Sequence, residues 1–288
     1  MNTLSPPLEI KHDHIDPAVL EVIRKIDQIA NQCEAKYFLA GAMAREVILR
    51  HVFGRPPGRR SLDVDFGIAV RDWNHFETLK TALVEQAGFT AHARMVQRLI
   101  YPSTPAVVVD LIPFGGVEDP EQNIAWPPEE DIVMKVTGFS DGLKSAVLVR
   151  LYADLIIPVV SIPVLIVLKV FAWIDRKHEK RDAADILVML KDYGDAGNED
   201  RLYGEESSLL EAEGYDFELA GARLLGRDAA GAMSEGAKKY LCNILDSEPQ
   251  MQELTNQIIV SSARNDDAHV RRCELFVAKF REGFLQVT

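Results

Sequence analysis

The 288-residue sequence is poor in cysteine and has no excess of positive charge. Its three cysteines, Cys33, Cys242 and Cys273, lie far apart and form no C-x-x-C pair. That weighs against a zinc ribbon or a thioredoxin-type site and fits a reducing compartment. With 44 acidic against 32 basic residues the net charge is −12. That argues against a protein that coats nucleic acid with its whole surface and says nothing about a local basic cleft. There is no G-x-x-x-x-G-K-[ST] and no G-x-S-x-G, so neither a P-loop enzyme nor an α/β-hydrolase is expected. The start, MNTLSPPLEIKHDH, lacks the apolar core of a signal peptide. One run, Leu155 to Ile174, is long enough for a bilayer. Pro158, Ser161, Pro163 and Lys169 interrupt it, and it reads as a buried strand running into a buried helix. The expectation is a cytoplasmic protein with no membrane partner.

What is present is a strand-rich half followed by a helical half, the division falling near residues 155–162. Residues 1–14 read as a loose tail. Asp16-Pro17 opens a helix, with Val19, Val22, Ile23, Ile26 and Ile29 at helical spacing. A short strand over 37–40 ends at Gly41 and turns into a helix over 43–53. A strand over 62–70 precedes a helix over 73–86. Further strands are expected over 90–96, 98–101 and 106–112, the last stopped by Pro113 and Gly115-Gly116. The acidic stretch 117–131 reads as an exposed excursion, and strands follow over 132–136, 146–152 and 155–160. Helices then cover 164–176, 181–193 and several segments to residue 283. This gives a strand-rich α/β half followed by an all-helical half, with domains over 1–160 and 161–288.

Ser61-Leu62-Asp63-Val64-Asp65-Phe66-Gly67-Ile68 is the most informative stretch. Side chains alternate along a strand, so Leu62, Val64, Phe66 and Ile68 share an apolar face and Asp63 and Asp65 share the other. Two such carboxylates repel unless a cation bridges them, and hard divalent cations take oxygen ligands. The plain alternative is a strand edge with its acids in water. Val107-Val108-Val109-Asp110-Leu111-Ile112 is a nearly continuous apolar run with one carboxylate. Burial on both faces would give Asp110 a need for counter-charge, which a metal shared with Asp63 and Asp65 supplies. The strand-to-helix turn Leu39-Ala40-Gly41-Ala42-Met43-Ala44-Arg45 leaves backbone N–H groups free to hold phosphate. Arg45, Arg50, Arg55, Arg59 and Arg60 follow closely, with Arg45 the best placed to offset triphosphate charge. His12 and His14 have ligand-like H-x-H spacing in a tail without further ligands, and Phe171 and Trp173 read as core.

The order Gly41-Ala42, Asp63-Val64-Asp65, Val109-Asp110-Leu111 resembles the DNA polymerase β-like nucleotidyltransferase superfamily. Lys169 in VLIVLKVFAW, followed by Arg181-Asp182-Ala183-Ala184-Asp185, is similar to its AbiEii-type branch, which includes abortive-infection and toxin–antitoxin nucleotidyltransferases. The resemblance covers about residues 36–193. It implies that Asp63, Asp65 and Asp110 bind Mg²⁺ or Mn²⁺, with Asp110 helping to deprotonate the attacking hydroxyl. It implies that Gly41, Ala42 and their turn, with Arg45, hold the triphosphate of an NTP. It implies that Lys169 contacts nucleotide phosphate and that Asp182 orients the base, the substrate or Lys169. It implies an α+β fold, a nucleotidyltransferase-type mixed sheet flanked by helices and followed by an all-helical half, with the helical domain contributing to the active-site cleft. Ala42 departs from the Ser or Gly often found there, and Ala cannot hydrogen-bond a phosphate through its side chain. The expected reaction is transfer of an NMP from an NTP to a hydroxyl of an RNA 3′ end such as tRNA, a protein or a small molecule. A toxin with an antitoxin partner is one setting. The alternatives are an inactive nucleotidyltransferase fold acting as an interaction module, and a metal-dependent glycosyltransferase. The last predicts a longer strand–helix series ahead of the two aspartates than the single unit seen here.

Overall fold

A computed structural model describes residues 6–12, 15–57, 63–176, 179–262, 264 and 266–287. His14, Arg59, Arg60, Ser61 and Leu62, named above, lie outside the described residues. The chain divides into two compact units, one of Met1–Val47 and Arg60–Ser161, the other of Ile48–Arg59 and Ile162–Thr288.

The first unit is built on an eight-stranded mixed sheet. In chain order its elements are β1 (Leu8–Glu9), α1 (Pro17–Gln32), β2 (Lys36–Ala40), α2 (Gly41–Arg45), β3 (Asp63–Val70), α3 (Trp73–Ala87), β4 (Thr90–Ala91), β5 (Arg98–Tyr101), β6 (Val107–Gly115), the hairpin strands β7 (Asn123–Ala125) and β8 (Val133–Lys135), α4 (Phe139–Lys144), β9 (Val147–Tyr152) and β10 (Leu155–Val159). The sheet order is β1-β9-β10-β2-β3-β6-β5-β4. β3 and β6 are parallel, and β2 and β5 flank them antiparallel.

Local chemistry accounts for the helix starts. The Asp16 carboxylate accepts from Ala18 N at 2.9 Å ahead of Pro17, and Asp72 accepts from His75 N at 2.8 Å. Gly88, left-handed at φ 80°, ends α3. The apolar stripe expected on α1 is buried, and on α3 Phe76, Leu79 and Leu83 are buried. On the sheet, Val64, Phe66 and Ile68 are fully buried on one face. The opposite face carries Asp63, Asp65 and Gly67. Gly67 lies against the Phe38 ring, which packs with Phe114 and Phe139 at 5.8 and 6.0 Å between centroids. Helix α4, absent from the sequence reading, therefore covers the Gly67 part of that face.

Several expectations are corrected. Leu8–Glu9 of the supposed loose tail pairs with Val149 and Arg150, and Arg150 Nε donates to Glu9 at 3.0 Å. The strand expected over 90–96 shrinks to β4, because His92 Nδ1 accepts from Arg94 N and Met95 N and closes a turn. The excursion 117–131 contains half of the β7–β8 hairpin. Ile124 and Trp126 are buried there, the latter 5.6 Å from the Trp73 ring. Their burial was masked by acidic flanks. Pro113 does not stop β6, which runs to Gly115. Past Leu111 only β3 flanks it, so a residue without an N–H is tolerated.

The second unit is helical: α5 (Ile162–Asp175), α6 (Arg181–Asp192), α7 (Glu199–Tyr203), α8 (Ser207–Ala212), α9 (Phe217–Ala232), α10 (Glu235–Leu245), α11 (Glu248–Ser261) and α12 (Asp267–Leu285). α9 and α12 cross closely because Gly226 and Gly283 face backbone of the opposite helix, where any Cβ would collide. The helix expected over 43–53 is instead α2 followed by a π-helical segment, Glu46–Val52. Within it the chain passes from the first unit to the second. Phe53 rests on Gly197, and Arg55 pairs with Asp195 at 2.8 Å and Asp192 at 3.3 Å. Those contacts explain why Ile48–Arg59 groups with the helices. Trp173 is fully buried, its Nε1–H donating to Gln257 at 3.0 Å. Among the described residues, no helix is long and apolar enough to cross a membrane.

Candidate active site

The register of the sheet lines up four positions. Ala40 on β2 pairs with Asp65 on β3, Asp65 with Asp110 on β6, and Asp110 with Arg98 on β5. Neighbouring strands lie about 4.8 Å apart, so the two carboxylates start from adjacent backbone. Asp63 sits two residues before Asp65 on the same face. All three aspartates are half-buried. This is the juxtaposition that one-strand alternation could not supply, because it depends on how β3 meets β6.

Gly41 closes the row. It follows Ala40 with φ 65°, a left-handed conformation that favours glycine. A Cβ there would run into the Asp65 carboxylate, with Cγ at 2.7 Å. The turn and the D-x-D strand are thus in direct contact. Ala40, at the N-cap of α2, has no side-chain acceptor. Ala42 is 5% exposed and Arg45 1% exposed, so neither side chain is open to water.

Arg98 is the residue that sequence reasoning missed. Its Nε donates to Asp110 Oδ1 at 2.8 Å and its Nη2 to Oδ2 at 2.7 Å. This is a two-pronged guanidinium–carboxylate pair. The hydrogen bonds from Arg98 to Asp110 raise the guanidinium pKa, burial opposes them, and the charges of Asp110, Asp63 and Asp65 add to the rise. A usable signal existed. The 102–106 loop joins two strands, and counting outward from Tyr101 and Val107 sets Arg98 opposite Asp110.

The three aspartates are all carboxylates. As hard oxygen donors they suit Mg²⁺ or Mn²⁺ in kind. Yet among the described residues no group of three or more His, Cys, Asp or Glu is arranged to hold a metal. Both Asp110 oxygens are engaged by Arg98.

In the helical unit, Lys169 on α5 is buried. Its Nζ lies 3.0 Å from Asp182 Oδ1 and 2.6 Å from Asp185 Oδ2, both on α6. Arg176, also missed, donates from Nε to Asp182 Oδ2 at 2.8 Å. Burial pushes the Asp182 carboxyl up, but Lys169 and Arg176 outweigh it and hold it below the usual carboxylate range. Arg181 pairs instead with Glu179 at 2.6 Å.

A family profile, the nucleotidyl transferase AbiEii toxin of type IV toxin–antitoxin systems, matches residues 29–207. The chain belongs to the AbiEii nucleotidyltransferase family. The match spans both the aspartate row and the Lys169–Asp182 pair. No curated protein matches the chain. Among solved structures, this AbiEii chain is similar to an antigenic nucleotidyltransferase-like protein from Paracoccidioides brasiliensis, at 18% identity over 62% of this chain and 78% of that one, TM-score 0.39. It is similar to the antibiotic-resistance factor ANT(2'')-Ia at 12% identity, over 70% and 99% of the chains, TM-score 0.37. It is also similar to the Thermotoga maritima CCA-adding enzyme complexed with tRNA at 12% identity, over 95% and 82%, TM-score 0.26.

Proposed function

We propose that this AbiEii protein transfers an NMP from an NTP to a hydroxyl acceptor and releases pyrophosphate. The observation that carries the reading is the row Ala40–Asp65–Asp110 with Gly41 packed against Asp65. It brings the Gly41 turn and two carboxylates of adjacent strands together. Asp63 and Asp65 are assigned to a divalent cation, Mg²⁺ or Mn²⁺, which supplies charge neutralisation on the triphosphate. Asp110 is assigned as general base toward the attacking hydroxyl. The backbone N–H groups of the Gly41-Ala42 turn are assigned to phosphate, which removes the need for a side-chain hydroxyl at position 42. Arg45 is assigned to phosphate charge in the same turn. Lys169 is assigned as a nucleotide-phosphate contact and Asp182 as the group that orients it, a role its 3.0 Å ion pair supports. The acceptor is an RNA 3′ end such as tRNA, a protein or a small molecule, and the setting is a toxin paired with an antitoxin, in the cytoplasm.

The test is incubation with each α-labelled NTP, Mg²⁺ and total RNA or cell extract, beside Asp63→Ala and Asp110→Ala. Label transfer should fall by at least about a hundredfold in both variants, the scale of losing a positioned base or charge partner. Tight NTP binding without transfer by the wild type supports the inactive interaction module instead. Absence of any metal-dependent NTP binding overturns the proposal.

A further inference from the structure

The β7–β8 hairpin carries a strand edge with no ladder on its outer side. Among the described residues β8 has one ladder partner, β7. Trp126 N donates to Ile132 O at 2.9 Å, and Val136 N to Gln122 O at 2.8 Å. Antiparallel backbone groups alternate in direction, so Ile132, Met134 and Val136 turn theirs toward β7. Val133 and Lys135 therefore turn their N–H and C=O groups outward. The edge is apolar and in water, with Ile132 66% and Val133 62% exposed. It is also anchored, because Trp126, directly after β7, is buried and packs on the Trp73 and Phe76 rings at 5.6 and 6.1 Å. An exposed apolar edge of this kind is a template for another strand. The charges along it point to the occupant. Asp131 and Lys135 lie two residues either side of Val133, on its face by alternation. A two-fold axis through Val133 sets each Asp131 directly opposite Lys135 of the other copy, an attractive cross-strand pair made twice. We propose that two copies of this chain associate by antiparallel pairing of their β8 edges, centred on Val133. The outward backbone groups of the two Val133 residues then bond each other. Lys135 Nζ donates to Glu121 O at 3.2 Å within the hairpin, and an ammonium has three donors, so that bond and the one between copies coexist.

Sedimentation velocity of the full chain over a concentration series tests the pairing. A strand pair this short buries little area, so the dimer is weak and its fraction should rise with concentration. Asp131→Lys sets lysine against lysine at both ends, and Lys135→Asp sets aspartate against aspartate. Each variant alone should raise the dimer dissociation constant at least about tenfold, since two attractive pairs become two repulsive ones. An equimolar mixture of the two variants should dimerise as the wild type does, because each copy then offers the charge that the other lacks. Asp131→Lys/Lys135→Asp in one chain exchanges the two charges and should also self-associate. Recovery in the mixture shows that the single variants are folded, so their loss of pairing is electrostatic. A wild type that stays monomeric up to its solubility limit overturns the proposal and leaves the edge to a different protein or to none. Dimerisation that neither single variant weakens places the contact elsewhere and overturns it as well. A mixture that stays monomeric, while the wild type dimerises, does the same.

Discussion

Gly41 shows how one residue joins two motifs that are more than twenty positions apart. Its left-handed φ and its contact with the Asp65 carboxylate are separate constraints. Gly88 carries the first constraint without the second, since a Cβ there meets open space at φ 80°. Gly41→Ala and Gly88→Ala should each lose about 1–2 kcal/mol in urea unfolding from backbone strain. Only Gly41→Ala should also lose nucleotidyl transfer, because it displaces Asp65. Equal transfer rates in the two variants would separate the turn from the site. At this scale the sequence was informative about residue type and silent about neighbours. Asp63 and Asp65 follow from alternation along one strand. Arg98 does not, since its role arises from a partner on another strand, and Arg55 likewise spends its charge on Asp192 and Asp195.

At the scale of elements, α5 and α6 are tied by buried charge. Asp182 is fully buried and accepts from both Lys169 and Arg176. Its folded pKa is depressed, so its contribution to stability is complete above the unfolded value of about 4. That contribution is lost as pH falls through the lower folded value. Asp182→Asn should destabilise the neutral-pH protein by about 3–5 kcal/mol, because Lys169 and Arg176 lose a buried counter-charge. It should also flatten the dependence of the urea midpoint on pH in the acid range. A variant whose midpoint falls with acid as steeply as the wild type would assign that dependence to other carboxylates. The apolar runs of α5 were legible as a buried helix. The π-helical segment Glu46–Val52 was not, because its side-chain spacing over two turns differs little from that of an α-helix. The short helix α4 was also hidden, having too few residues for a period to show.

For the whole molecule, net charge −12 sets the long-range field. Phosphate backbones are repelled at a distance, so any RNA contact must be local. Retention of a random, non-acceptor RNA should change by less than about fourfold between 50 and 200 mM salt, the scale of roughly one neutralised phosphate. A steep salt dependence would show a broad basic footprint. Composition, charge and periodicity determined that the chain is a strand-rich half followed by a helical half, because apolar spacing is a property of each segment alone. The same local reasoning determined that Asp63 and Asp65 share a face and that Gly41 ends a strand at a tight turn. Only the tertiary structure decided that Asp65 stands beside Asp110, that Arg98 grips the latter, and that Ile48–Arg59 groups with the helices. Those facts depend on strand order, register and packing between segments distant in the chain, and no periodicity within a segment encodes them.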